Sequence, residues 1–199
     1  SVGRVRELSL GDYVLNGAKR FITNANRAHL FTVMARTDPN KPGAGGVSAF
    51  LVERNSPGLS VGRPEKKMGQ QGAHICDVIF EDVKVPVENR LGAEGEGFRV
   101  AMQVLDRGRL HISAVCVGVS ERLIADCVAY ASERKQFGQP IAQFQLVQGM
   151  IADSKTESMA AKALTLETAR KRDAGESVTM EAAAAKYFAS EMVGRVADR

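Results

Sequence analysis

Cysteine is scarce in this sequence and carries no pairing pattern. Cys76, Cys116 and Cys127 are an odd set with no Cys-x-x-Cys, each set among apolar neighbours. That excludes a disulfide framework and a cysteine-rich metal site, and predicts buried thiols in a reducing compartment. No apolar run approaches the roughly 20 residues that a membrane-spanning helix needs, so no membrane span is expected. The three histidines, His29, His74 and His111, share no metal-ligand spacing. Ser113 and Ser120 lack the strand-to-helix glycine context of a hydrolase nucleophile. The net charge of +4 is scattered, with no block of Lys and Arg interleaved with aromatics, so no nucleic acid partner is expected. Gly92 to Phe98 is glycine-rich, but it lacks a Lys-Ser/Thr ending and carries Glu94 and Glu96, which would repel phosphate. It reads as a hinge.

Start and stop signals are also missing. There is no initiator Met and no signal-peptide pattern, which predicts a processed or excised N-terminus. The helical pattern from Thr179 still runs at Arg199, with no Gly or Pro to stop it, which predicts a truncated protein.

What is present divides the 199 residues into two halves of different period. The composition, 44% hydrophobic and 25% charged, is that of an ordinary globular chain long enough to bury a core. Residues 1–87 read as strands. Asp12 to Leu15 and Ala18 to Thr23 flank Asn16-Gly17, a hairpin signal because Asn-Gly supplies the positive φ angles of a type I′ turn. Phe31 to Arg36, Val47 to Glu53 and Ile75 to Val85 are further strands, the last stopped by Pro86. Residues 88–199 read as helices. Phe98, Met102, Leu105, Arg109, Ile112, Cys116, Val119, Leu123, Cys127 and Tyr130 repeat at steps of three and four, predicting one buried face of a helix that reaches about Arg134. Gly108 and Gly118 are its candidate bend points. A second helix is expected from Phe144 to Ala174, stopped by Gly175, and a third from Thr179 as N-cap. The fold class is therefore α+β: an antiparallel β-domain, as a small barrel or sandwich, then an antiparallel four-helix bundle lacking one helix.

Arg109 stands out because every other position on its stripe is apolar. Asp106, one turn earlier, is placed to pair with it. Two readings stay open on the residues alone: an internal ion pair that fixes packing, or an arginine lining a ligand cavity. Arg134 to Pro140 likewise reads either as a helix stop or as a phosphate-binding arginine beside an aromatic.

Five segments, in this order and spacing, resemble the acyl-CoA dehydrogenases: Tyr13-Val14-Leu15-Asn16-Gly17-Ala18-Lys19-Arg20-Phe21-Ile22-Thr23-Asn24, Val47 to Val52, Phe80 to Pro86, Leu105-Asp106-Arg107-Gly108-Arg109, and Glu133 to Gly138. The resemblance implies a central β-domain and part of the C-terminal bundle, without the N-terminal helical domain. It implies FAD as cofactor, with Phe21, Ile22 and Thr23 along the flavin. Phe21 stands where the family usually has Trp, which keeps a stacking surface and loses an indole N–H. It implies that Arg134, Phe137 and Gln145 reach the FAD of a neighbouring subunit, so a homodimer or homotetramer is expected. Asp106, Arg107, Gly108 and Arg109 would line the acyl-CoA site, whereas Gly72-Ala73-His74 replaces serines found in many members.

The implied reaction is α,β-dehydrogenation of an acyl-CoA, with hydride passing to flavin and electrons onward to an electron-transferring flavoprotein. The implied compartment is cytoplasmic in a bacterium and the mitochondrial matrix in a eukaryote. No catalytic residue is assigned within the chain. Most members carry the glutamate base beyond the position of Arg199, and a minority carry it where this chain has Gly108. Two alternatives remain at this point: a non-catalytic FAD- or acyl-CoA-binding scaffold, and an acyl-CoA oxidase.

Overall fold

The computed structural model describes residues 3–7 and 11–199, with side chains from residue 11 onward. The chain forms two compact units, Ser1–Met102 and Gln103–Arg199.

The first unit is a single seven-stranded sheet. Its strands are β1 (Gly3–Glu7), β2 (Tyr13–Thr23), β3 (Leu30–Arg36), β4 (Val47–Glu53), β5 (Leu59–Val61), β6 (Ile75–Val85) and β7 (Arg90–Leu91). They lie in the order β5-β6-β2-β1-β3-β4-β7, antiparallel except for the β1–β3 pair. The sheet curls over its core. Tyr13 on β2 and Phe50 on β4 meet with ring centroids 4.8 Å apart although two strands separate them in the ladder. Phe31, Val52, Val78, Val83 and Val85 complete this buried cluster. No ladder joins β5 to β7, so the expected barrel does not close.

The expected hairpin at Asn16-Gly17 is corrected: β2 runs straight through it as one strand of 11 residues. The pairing of β2 with β6 shifts register between Leu15 and Gly17, which makes the site a bulge. The Asn16 side chain takes the place of the lost ladder bonds. Its Nδ2 donates to Asp82 Oδ1 and its Oδ1 accepts the Asp82 N–H, each at 2.9 Å. A long partner strand thus outcompetes the local turn preference. The predicted hinge is also better described as a docked connection. The Gly95 N–H donates to Ser48 Oγ at 2.9 Å, and a side chain at Gly97 would collide with the Ser48 backbone.

The second unit holds most of α1 (Gly97–Glu133), a small hairpin of β8 (Lys135–Gln136) and β9 (Gln139–Pro140), then α2 (Gln145–Asp173) and α3 (Thr179–Asp198). Helix ends match the sequence reading to within a residue or so, which is the ordinary uncertainty of helix termini. Thr179 is the first residue of α3; Val178 holds the cap position. α2 buries Ser154, Ser158, Ala161, Thr165 and Thr168, and α3 buries Ala182, Ala185, Ala189, Met192 and Val196. Steps of four and three on both helices make a seam of small residues, which lets the two helices approach closely.

On α1 the buried side chains are Leu110, Ser113, Val117, Ser120 and Ala131. The apolar stripe read from the sequence is buried only in part: Cys116 and Leu123 pack against the helical core, and other members do not. Leu105, Ile112 and Val119 are 46–47% exposed and Tyr130 is 62% exposed. Buried serines can occupy the inner face because each hydroxyl is satisfied: Ser113 donates to the Arg109 carbonyl, and Ser120 to the Val117 carbonyl while meeting Ser158 Oγ at 2.8 Å. Cys76 is buried as expected, but Cys116 is half-buried against the helical core and Cys127 is exposed.

Candidate functional site

In the β unit, the candidate segment is the end of β2. A second register shift falls between Lys19 and Ile22, opposite Asp77 of β6. The bulge drives Phe21 to a φ of 58°, a left-handed conformation that costs a non-glycine residue about 1–3 kcal/mol. Its ring is 63% exposed, and the Arg20 guanidinium carbon sits 5.0 Å from the ring centroid. Arg20 is itself held by Asp77 at 3.3 Å and Glu65 at 3.5 Å. Side chains alternate across a strand, so Ile22 packs inward against the core while Thr23 is exposed. Among the described residues, nothing takes up the Thr23 hydroxyl. The turn after it is pinned from below: the Asn24 N–H donates to the His74 carbonyl at 2.7 Å, and Asn26 Nδ2 meets His74 Nδ1 at 2.7 Å. Nearby, Lys19 donates to the Met34 carbonyl at 2.7 Å, and burial lowers its pKa.

In the helical unit, Asp106 and Arg109 do pair. Arg109 Nη1 lies 2.7 Å from Asp106 Oδ1. The expectation that this pair is buried is corrected, because the side chains are 36% and 26% exposed. They share the outward-facing side of α1 rather than the packed seam. Arg107 is exposed, and Gly108 is half-buried with open space where a Cβ would point. Sequence reading missed Thr179, whose Oγ1 donates to Asp106 Oδ2 at 2.8 Å from 73 positions away. Its place at the start of a helix hid this role, since capping already explained the residue type. His74 as the anchor of the Thr23 turn was missed too, and only its departure from the family serines could have drawn attention to it.

Arg134 follows the last turn of α1, exposed and with no partner for its guanidinium among the described residues. Phe137 and Gly138 form the two-residue tip of the β8–β9 hairpin, with φ of 52° and 82°. This pair of positive angles is what a tight type I′ hairpin turn demands. It puts the Phe137 ring, 94% exposed, edge-on to Phe144 at 6.2 Å. Gln145, the first residue of α2, is exposed beside Phe144 in the chain. The structure thus gathers Phe21 to Thr23 in one unit, and Asp106 with Arg109, and Arg134 to Gln145, in the other. Among the described residues there is no group of three His, Cys, Asp or Glu placed to hold a metal, and no helix is long and apolar enough to cross a membrane.

Residue types that suit a planar, anionic cofactor such as FAD occur separately in each unit: the exposed Phe21 ring and the Thr23 hydroxyl in one, exposed Arg134 and Phe137 in the other. Comparison with known proteins points the same way. Residues 4–83 match the acyl-CoA dehydrogenase middle domain, and residues 95–199 match the acyl-CoA dehydrogenase C-terminal domain. A short-chain specific acyl-CoA dehydrogenase from Megasphaera elsdenii is 43% identical over 186 residues, which are 94% of this chain and 48% of that protein. The caffeyl-CoA reductase–Etf complex subunit CarC from Acetobacterium woodii is 45% identical over 190 residues, 95% of this chain and 50% of that protein. The solved butyryl-CoA dehydrogenase from Megasphaera elsdenii superposes with a TM-score of 0.94 at 41% identity, covering 98% of this chain and 51% of that one. The chain spans about half the length of the relatives it matches, and it belongs to the acyl-CoA dehydrogenase family.

Proposed function

We propose that the protein carrying this chain oxidises the Cα–Cβ bond of an acyl-CoA thioester, with FAD as its cofactor. The flavin supplies a hydride acceptor when bound. Phe21 offers it a stacking face, and the Thr23 hydroxyl a hydrogen bond to a ring nitrogen. Arg134, Phe137 and Gln145 serve the FAD of a neighbouring subunit in a homodimer or homotetramer, with the arginine on phosphate and the phenylalanine as an apolar wall. Asp106, Arg107, Gly108 and Arg109 line the acyl-CoA site. There Asp106 holds Arg109, and Gly108 leaves room beside them. The observation that carries the reading is Phe21, a 63% exposed aromatic held in a left-handed conformation, with Arg20 5.0 Å from its ring centroid, which leaves ring surface for a flavin to stack on.

A carboxylate must take the α-proton, and none of the residues named here does so; Gly108, which matches a position where some members carry the base, has no side chain. The electron acceptor in this reading is an electron-transferring flavoprotein, in keeping with the relative named for an Etf complex. The compartment is the cytoplasm in a bacterium or the mitochondrial matrix in a eukaryote.

The test is turnover of acyl-CoA with an artificial electron acceptor. The full-length protein is expected to purify yellow and turn over; the 199-residue chain alone is expected to bind FAD weakly and not to turn over. A full-length protein that neither binds FAD nor oxidises any acyl-CoA would overturn the proposal. Turnover by the 199-residue chain would overturn only the statement about the missing base.

A further inference from the structure

We infer that Thr179 is a positioning residue for Arg109, acting through Asp106; the functional part of this inference rests on the reading of Arg109 as an acyl-CoA contact. An arginine paired only with an aspartate three residues earlier on an accessible helix face is weakly fixed. Both side chains keep rotamer freedom, and solvent competes for the pair. Here the aspartate is tied at both oxygens. Oδ1 accepts from Arg109 Nη1 at 2.7 Å and Oδ2 accepts from Thr179 Oγ1 at 2.8 Å.

The second tie comes from a different helix and from a stiff side chain. Threonine is β-branched, so its χ1 is restricted. Thr179 is also the first residue of α3, where unpaired backbone N–H groups favour a nearby negative charge. The start of α3 is in turn clasped to the end of α2 by Lys171 and Glu181, at 3.3 Å. The order of control is therefore α3 start, Thr179 hydroxyl, Asp106 carboxylate, Arg109 guanidinium. Only one of the five guanidinium N–H groups is used in this chain of contacts. No other acceptor among the described residues takes the remaining ones, so they stay available. An arginine with one fixed bond and free donors is suited to a carbonyl or phosphate oxygen of a ligand.

Four variants of the full-length protein test this: Thr179→Val, which keeps the shape and branch and removes the hydroxyl; Thr179→Ser, which keeps the hydroxyl; Arg109→Ala; and the double variant Thr179→Val with Arg109→Ala. Thr179→Val is expected to raise KM for acyl-CoA about five- to tenfold, the scale of one hydrogen bond, with kcat changed by less than about twofold. Thr179→Ser should return KM to near the parent value. In the Arg109→Ala background, Thr179→Val should add little, because the residue it positions is gone. Independent, multiplying effects would overturn the inference, as would a crystal structure of Thr179→Val with the Arg109 guanidinium unmoved. If Arg109→Ala itself leaves KM unchanged, the acyl-CoA reading of Arg109 fails. The positional claim is then decided by that crystal structure alone.

Discussion

In the β unit the side chains at 1% exposure or less include large ones, Tyr13, Phe50, Val52, Val78, Val83 and Val85, beside the smaller Ala25, Ala35, Ala49, Ser48 and Cys76. In the helical unit the side chains buried to the same depth are mostly small: Ser113, Ser120, Ala161, Ala182, Ala185 and Ala189, with Met192 and Thr168 the larger ones. The large apolar residues of α1 and α2 lie outward instead, among them Leu105, Ile112, Leu146 and Leu166. Stability in a strand sandwiching its own core comes from area removed from water. Stability in the helical seam comes from close backbone approach and satisfied hydroxyls. The helical unit does bury a cluster of Val117, Met192 and Val196, but more of its large apolar residues are exposed than in the β unit.

The largest effect expected is in the β core. Phe50→Ala should cost about 3–5 kcal/mol in chemical denaturation, because it empties the centre of a closed cluster. Leu105→Ala on the outward face of α1 should cost less than about 1 kcal/mol in the isolated chain. If the two cost the same, the contrast between units is broken and the α1 face is already covered in solution. Next comes the seam. Ala189→Leu should cost about 1–3 kcal/mol, since Ala189 is fully buried where α2 and α3 meet and extra methylenes have no room. A neutral outcome would mean that the seam is loose.

Arg109→Ala should cost on the order of 1 kcal/mol or less, as befits an accessible pair. A loss of several kcal/mol, read from the thermal midpoint, would show that the pair is desolvated after all.

The smallest effect is the acid response. In the helical unit, Arg199 and then Arg195 hold the Glu157 carboxyl below its ordinary value of 4.5. Lys162 does the same for Glu121 by a hydrogen bond. Glu181 is lowered by a hydrogen bond from its own backbone, then by Lys171. In the β unit the lowered carboxyl is Glu96, mainly through Arg99. A depressed folded-state pKa stabilises above the unfolded value and stops stabilising as pH falls through the folded one. Hydrogen exchange should therefore show the helical unit loosening ahead of the β unit as pH drops below 4.5, the ordinary carboxyl value. Glu157→Gln should flatten that response. Equal loosening of both units would remove the distinction.

Much of the fold was legible because local rules and tertiary outcome agreed. Val47–Glu53 and Ile75–Val85 are strands at the residues where β-branched and aromatic side chains end in turn formers. α2 stops where Gly175, at a φ of 84°, supplies the left-handed residue that closes a helix. Asn16-Gly17 misled because the same pair that closes a hairpin also makes a bulge, and the choice rests with Asp82, 66 residues further on. The α1 stripe misled for a different reason. Periodicity reports that a face is apolar and says nothing of what covers it.

For the site, sequence motifs located Phe21 to Thr23, Asp106 with Arg109, and Arg134 to Phe137. Thr179 escaped, because a hydroxyl donated across 73 positions leaves no local pattern.

By itself the sequence determined the strands β3, β4 and β6, the three helices, the family, and which residue types can stack, pair or bind phosphate; these follow from short-range periodicity and from motifs, which left the short strands β5, β7, β8 and β9 unread. Only the tertiary structure decided that Phe21 sits at a φ of 58° with its ring outward, that Asp106 is tied to α3 as well as to Arg109, and that Ser113 and Ser120 join Leu110 and Val117 on the inner face of α1. Each of those depends on a partner far along the chain. Which neighbour wins is settled by closing long loops and excluding water, and neither is written in any local stretch of residues.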